Sequence, residues 1–289
     1  MSMTDICCGK VTQLSREDNE KLEKIIFRLE NSEPVQYVLG STMFCGREFH
    51  VEPGVLIPRP ETEELVDRAT QTATVEMDTC DHQLRILDIG TGSGCIAISI
   101  LLNLNDLSST GKGVKMEAWD ISEEALRIAR ANAERLGADV DFARHDILKE
   151  SHEPTQADLT DGTSNSSGHE PHETDGSSIT QKTETYDIIV SNPPYICHAE
   201  AAEMDANVLR HEPHLALFVP DSEPLLFYRA IATYAIAHLT PGGKLFFEIN
   251  RAYAKETAAL LEATGFRSVD IRNDLYGNPR MIKAEKPDN

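Results

Sequence analysis

The sequence predicts a doubly wound α/β fold, a mostly parallel sheet with one antiparallel strand, preceded by a small N-terminal helix and a β-hairpin. Three observations carry that reading. Short apolar runs suited to buried strands alternate with helical periodicities from Leu84 onward. The first of those runs passes at once through a glycine-rich turn into an apolar helix. The chain then closes on two β-rich segments, Phe266–Ile271 and Arg280–Ala284, which pair as a hairpin.

Composition bounds what such a fold does. A chain of 289 residues holds one large α/β domain with a small appendage. Its formal net charge is −21, from 27 basic and 48 acidic residues. Gripping DNA or long RNA takes a basic face that neutralises phosphates, so this balance argues against a nucleic-acid substrate. Six cysteines (Cys7, Cys8, Cys45, Cys80, Cys95 and Cys197) show no metal-ligand spacing and read as reduced thiols of a cytoplasmic protein. No basic-then-apolar leader opens the chain, and its longest apolar run, Cys95–Leu102, is too short to span a bilayer. The expectation is a soluble, cytoplasmic protein without metal or membrane, and a monomer.

Taken in order, residues 1–33 are a tail and one helix. Ser15-Arg16-Glu17-Asp18 resembles a capping box, and Leu22, Ile25, Ile26 and Leu29 recur at helical spacing. Residues 34–60 mix β-formers with turn residues (Tyr37-Val38-Leu39-Gly40, Phe44-Cys45-Gly46, Phe49-His50-Val51) and predict a hairpin linker. In Ile57-Pro58-Arg59-Pro60-Glu61-Thr62-Glu63 the prolines hold Arg59 extended, and Pro60 opens the next helix. Arg59 and Glu61 read equally as a surface ion pair. Residues 61–289 form the main domain.

Within it, Leu84–Asp88 is a buried strand, and Ile89-Gly90-Thr91-Gly92-Ser93-Gly94 turns into the helix opening at Cys95. Gly90 permits the tight turn, Gly92 lets a ligand reach the backbone, and Gly94 lets the helix pack close to the strand. That context predicts a nucleotide-type cofactor, and no Gly-Lys-Ser/Thr follows to make a Walker loop. Met116–Asp120 is the second strand; a carboxylate at its end accepts ribose hydroxyls or caps the helix at Ser122-Glu123-Glu124. After the third strand, Val140–Ala143, Asp146 is placed to accept from an adenine amino group and Ile147 to cover the ring, or both are ordinary loop residues. Residues 151–184 carry seven acids against Lys182 alone and read as a disordered acidic insertion. His145, His152, His169 and His172 lack the scaffold a metal site needs.

The most informative stretch is Tyr186–Tyr195. Its strand ends at Asn192-Pro193-Pro194-Tyr195, where two prolines fix φ and remove two donors. The result is a rigid ledge at the carboxyl end of a strand, where open α/β sheets bind ligands. It offers a side-chain amide, a carbonyl and a flat ring. That set suits a planar NH2 conjugated to a π-system, either the exocyclic amine of a base or a carboxamide. Beyond it, Ala199–Leu209 suits a short helix or lid, Phe227–Leu239 a helix, Lys244–Ile249 a strand and Ala252–Ala263 a helix.

Together, the glycine loop, the acid after the second strand and the ledge resemble a Rossmann-like class I S-adenosylmethionine-dependent amino methyltransferase. Asn-Pro-Pro-Tyr also occurs in adenine-N6 methyltransferases, so the flanking sequence decides. Glu33–Gly40, Leu56–Glu63, Glu212-Pro213 and Tyr228-Arg229-Ala230-Ile231 resemble the release-factor glutamine N5-methyltransferases, the PrmC/HemK family. The sister family acting on a ribosomal-protein glutamine has serine-proline where this chain has Pro60-Glu61. The resemblance implies that Gly90, Thr91, Gly92, Ser93 and Gly94 hold the methionine part of S-adenosylmethionine, with Asp120 on the ribose and Asp146 and Ile147 beside the adenine. It implies that Asn192, Pro193, Pro194 and Tyr195, with Arg59 nearby, receive the glutamine of the Gly-Gly-Gln loop of bacterial release factors 1 and 2. Asn192, Pro193 and Tyr195 would carry the chemistry, Asn192 touching the cofactor as well. Three departures stand out: one N-terminal helix where the family has several, Asn250 where it has glycine, and the acidic insertion. Rival readings are an adenine-N6 methyltransferase of nucleic acid, marked by a basic cleft near Tyr195, and a cofactor-binding protein without an acceptor.

Overall fold

The structure is a computed structural model that describes residues 4, 8, 14–107, 113–150 and 185–288. Cys7, the acidic stretch 151–184 and the histidines His152, His169 and His172 lie outside the described residues.

Helix α1 (Arg16–Glu30) opens where Ser15 Oγ accepts the Asp18 N–H at 3.1 Å. Arg28 at its end forks onto Glu33 and donates to the Tyr37 and Val38 carbonyls, tying the helix to the next turn of chain. Tyr37–Leu39 is not strand, as the β-formers there predict. Val35–Leu39 forms a helical turn that starts after Pro34 and stops at Gly40 in the left-handed region, φ 76°. Burial of Tyr37 and Val38 outweighs local propensity, and Tyr37 Oη donates to the Val55 carbonyl at 2.6 Å. The hairpin itself is β1 (Ser41–Phe44) with β2 (Arg47–His50).

Helix α2 (Pro60–Thr79) has Pro60 in its first turn. The main sheet then takes β3 (Leu84–Ile89), β4 (Val114–Asp120), β5 (Val140–Arg144), β6 (Tyr186–Ser191), β9 (Leu239–Glu248), β10 (Arg267–Asn273) and β11 (Pro279–Glu285). Two short strands, β7 (Ile196–Cys197) and β8 (Phe218–Val219), pair in parallel beside it. The order is β10-β11-β9-β6-β3-β4-β5, with β11 antiparallel to both neighbours and the other pairings parallel. β3 and β6 are buried along almost their whole length, which is why they read as continuous apolar runs. Helices α3 (Cys95–Leu107), α4 (Glu123–Leu136), α5 (Leu226–His238) and α6 (Ala254–Thr264) cover the faces. One core joins α2 and α3 to one face of the sheet, and a second joins α5 and α6 to the other.

One detail departs from the sequence reading, and a second agrees with its short-helix alternative. The strand expected from Lys244 begins at Leu239, with Pro241-Gly242-Gly243 carried inside it at a register shift against β6. The segment after the ledge is a 3-10 helix (His198–Glu203) followed by a short α-helix (Ala206–His211). No helix among the described residues is long and apolar enough to cross a membrane, and none of their His, Cys, Asp and Glu residues cluster in a set that could hold a metal.

Candidate active site

Parallel pairing brings the carboxyl ends of β4, β3, β6 and β9 side by side, and each ends in a residue able to do chemistry. β4 ends at Asp120 and β9 at Glu248, β3 runs from Ile89 into the glycine turn, and β6 runs from Ser191 into Asn192. Ser191 sits opposite Phe247 in the register, so Asn192 and Glu248 leave the sheet together.

Above these ends lie two cavities. The larger, about 390 Å³, is lined by Gly90–Ser93 of the turn, Asp120, Asp146, Ile147 and the Asn192-Pro193-Pro194 ledge, among others. That volume lies in the range of small-molecule sites. The second, about 330 Å³, includes Tyr195, Glu203, Met204, Asp205, Val208 and Glu248 in its lining. Asn192, Pro193, Arg59, Leu56 and Ala216 line both, so the ledge is the wall at which the two spaces meet.

In the larger cavity, Asp120 Oδ2 accepts the Gly92 N–H and Oδ1 the Ser122 N–H, each at 2.9 Å. Burial holds the Asp120 carboxyl above its ordinary range, opposed by those backbone bonds. A Cβ built on Gly92 would meet nothing within 4 Å, so the backbone there stands open to a ligand. Gly94 works differently from expectation. A Cβ on it would meet Ile98 Cδ1 at 2.9 Å and Ala129 Cβ at 3.1 Å, so it makes room for α4 rather than for the strand. Trp119 stacks on His145 with ring centroids 4.1 Å apart, and both rings line the cavity with Ile147, Leu148 and Phe227. Asp146 Oδ1 accepts the Leu148 N–H at 3.2 Å, and Lys149 lies 3.3 Å from the other carboxyl oxygen.

Arg59 is held by Glu212. Its Nη2 donates to Glu212 Oε1 at 2.5 Å, while Oε2 of that buried carboxylate accepts the Ile57 N–H at 3.1 Å. The pair therefore spans two distant segments and fixes the loop before α2 over both cavities, rather than the local pairing of Arg59 with Glu61. Arg59 is the one basic residue in the lining of the smaller cavity, where Glu203, Asp205 and Glu248 supply acid.

Thr62 and Glu248 are not among the residues the sequence singles out. Asn192 Nδ2 donates to Thr62 Oγ1 at 3.4 Å, Thr62 Oγ1 donates to Glu248 Oε2 at 2.7 Å, and Tyr195 Oη donates to Glu248 Oε1 at 3.1 Å. Glu248 is fully buried. Burial raises its pKa, against the Thr62 hydroxyl, the charge of Arg280 and the Tyr195 hydroxyl. An acid ending an apolar strand is the signal that could have found it, the same one that marks Asp120. On the far side of the ledge, Asn250 Nδ2 donates to the Tyr195 carbonyl at 3.1 Å and to Glu200 Oε2 at 3.0 Å.

The chain is similar to known methyltransferases. Residues 81–245 match the family model of a methyltransferase domain. The chain is 48% identical over 282 residues to a release factor glutamine methyltransferase of Bacteroides thetaiotaomicron, covering 98% of this chain and 86% of that one. It is 41% identical over 262 residues to a protein of the same description from Flavobacterium psychrophilum, covering 91% and 79%. Among solved structures, the hMettl16 catalytic domain in complex with MAT2A 3'UTR hairpin 6 superposes with a TM-score of 0.53 at 15% identity, over 88% of this chain and 81% of that one. That likeness concerns the fold alone.

Proposed function

The chain belongs to the release factor glutamine methyltransferase family, and from that premise we propose that it methylates the side-chain nitrogen N5 of the glutamine in the Gly-Gly-Gln loop of bacterial release factors 1 and 2, using S-adenosylmethionine. The observation that carries the reading is the Asn192-Pro193 ledge standing as the common wall of two cavities. One cavity suits the cofactor and the other a glutamine side chain entering from outside.

The residues of the larger cavity fit S-adenosylmethionine. Open backbone at Gly92, with Gly90, Thr91 and Ser93 around it, would hold the methionine part, while Gly94, expected to join them, lies outside the cavity lining and packs against Ile98 and Ala129. Asp120 retains lone pairs for ribose hydroxyls beyond the two N–H groups it accepts. Ile147 and Asp146 would receive the adenine, Asp146 with its second oxygen. The cofactor supplies an electrophilic methyl group on a sulfonium.

A carboxamide nitrogen is a poor nucleophile, because its lone pair is delocalised into the carbonyl. The enzyme's contribution is therefore positional. Asn192 Oδ1 and the Pro193 carbonyl accept the two N–H groups of the acceptor and aim its nitrogen across the shared wall. Such orientation supplies up to ~7–11 kcal/mol of barrier reduction. As the nitrogen gains positive charge, both acceptors hold it more tightly, so they favour the transition state over the ground state. Tyr195, pinned by Glu248, packs against the amide plane and excludes water. Pro194 keeps the ledge rigid, and Arg59 closes the loop above it.

The acidic lining beside Tyr195 is the wrong sign for a polyanion, which disfavours a nucleic-acid acceptor. We further propose that the protein works as a cytoplasmic monomer, away from membrane and DNA, with residues 1–33 and 34–60 as appendages to a methyltransferase domain over 61–289. Mass spectrometry of a release factor incubated with enzyme and S-adenosylmethionine tests the activity. One methyl on the loop glutamine is expected; an unmodified loop peptide contradicts it.

A further inference from the structure

We propose that Glu248 is a positioning residue for methyl transfer, fixing through the Thr62 hydroxyl which end of the Asn192 amide faces the acceptor. The inference rests on the reading of Asn192 as the group that binds the acceptor's amide.

Three hydrogen bonds, by their direction, orient that amide. Tyr195 donates to one oxygen of Glu248 and Thr62 to the other, at 3.1 and 2.7 Å. A carboxylate has nothing to donate, so the single Thr62 proton is committed to it. Thr62 is then only an acceptor toward Asn192, and the NH2 end of that amide must face it, at 3.4 Å. Oδ1 is left turned away from Thr62, free to accept from an incoming NH2. Asn192 lines both cavities, so the end it presents decides which acceptors fit.

The arrangement is built into the fold. Thr62 lies in the first turn of α2, which starts at Pro60, and Glu248 ends β9 beside the strand that leads into Asn192. Thr62 and Glu248 are both buried, each at the wall of a cavity, and the bond between them is direct. Arg280, bonded to Asp274 at 3.3 Å, places a positive charge that offsets part of the burial that raises the Glu248 pKa. Replacing Glu248 by glutamine keeps the shape but supplies an NH2 that can donate to Thr62. The Thr62 proton is then free to point at Asn192, which turns its oxygen inward and presents an NH2 to the acceptor. A site with that polarity suits a carboxylate rather than a carboxamide.

The test uses the full chain with a purified release factor, the variants Glu248→Gln, Thr62→Val and Thr62→Ser, and the side-chain amide resonance of Asn192, assigned by its absence in Asn192→Ala. In Glu248→Gln and Thr62→Val, kcat is expected to fall about a hundredfold while the dissociation constant for S-adenosylmethionine stays within about threefold. Thr62→Ser, which returns the hydroxyl, recovers most of the turnover lost in Thr62→Val. The Asn192 amide resonance shifts in both impaired variants. Should Glu248→Gln fail to fold, the Thr62→Val and Thr62→Ser pair decides alone. Turnover within about threefold of wild type in folded Glu248→Gln or in Thr62→Val overturns the proposal, as does a loss that Thr62→Ser leaves in place. If wild-type enzyme methylates no release factor, the functional reading fails separately. The amide resonance then decides: a shift in the variants sustains the positioning role, and an unchanged resonance removes it.

Discussion

Asp120 and Gly92 are directly bonded: the carboxylate ending β4 accepts the N–H of the open residue in the turn after β3, at 2.9 Å. The acid expected to meet the ribose thus also shapes the loop expected to hold the methionine part. Its other oxygen caps the start of the next segment through Ser122.

Asp120→Ala is therefore expected to lose two things at once. Charge-assisted hydrogen bonds contribute about 1.5–3 kcal/mol each, so affinity for S-adenosylmethionine falls about 10- to 100-fold. Calorimetric titration reads that loss. Because the Gly92 loop also loses its anchor, thermal stability without cofactor drops as well.

Asn192→Ala separates binding from chemistry. Removing one preorganised group at the developing charge costs about 2.7–4 kcal/mol, so turnover falls about 10²- to 10³-fold. Cofactor affinity changes far less, since the Gly90–Ser93 turn and Asp120 remain. Parallel measurement of kcat and cofactor dissociation constant checks the split.

Asp88 gives stability a pH dependence. It is fully buried behind the glycine turn and accepts the Thr91 hydroxyl at 2.7 Å, and burial pushes its pKa up to about 7 from an ordinary 3.8. A raised pKa means the fold favours the protonated carboxyl. That stabilisation is complete below the unfolded value and lost as pH rises through about 7. Melting curves without cofactor are expected to drop between about pH 4 and 7 for wild type, and to drop less for Asp88→Asn, which carries no charge to bury.

Gly94→Ala places a methyl against Ile98 and Ala129 at φ 81°, a conformation that alanine resists. The expected loss is about 1–3 kcal/mol, read from denaturant unfolding. The same methyl pushes α4 from the turn, so cofactor affinity falls with stability.

Asn250 braces the ledge from behind through the Tyr195 carbonyl and Glu200. Asn250→Gly is expected to cost about 1 kcal/mol of stability per lost bond and to lower kcat less than tenfold, because Asn192 keeps its own support through Thr62. Urea unfolding and steady-state kinetics measure the two effects.

The features legible in the sequence are those that local chemistry encodes. Alternating buried runs mark the parallel sheet, Gly90–Gly94 the cofactor turn, and paired prolines at 193 and 194 the ledge. Contacts between distant segments stay hidden. Thr62 and Glu248 are 186 residues apart: the register of β6 against β9 sets Glu248 beside Asn192, and the packing of α2 on β9 brings Thr62 to it. Arg59 and Glu212 are 153 apart, so Glu61 two positions away is the natural but mistaken partner. Tyr37 and Val38 have strand propensity yet lie in a helical turn, because burial and the Gly40 stop decide there. Gly94 reads as serving its own strand, whereas the crowding atoms belong to Ile98 of the following helix and to Ala129 of α4, about 35 residues on.

The central claim is most directly tested by following label from S-adenosylmethionine into a purified release factor and into the same factor with its loop glutamine changed to alanine. The account predicts label on the wild-type factor, none on the loop variant, and a loss of about 10²- to 10³-fold with Asn192→Ala enzyme. Equal label on both factors, or undiminished transfer by Asn192→Ala, would contradict it.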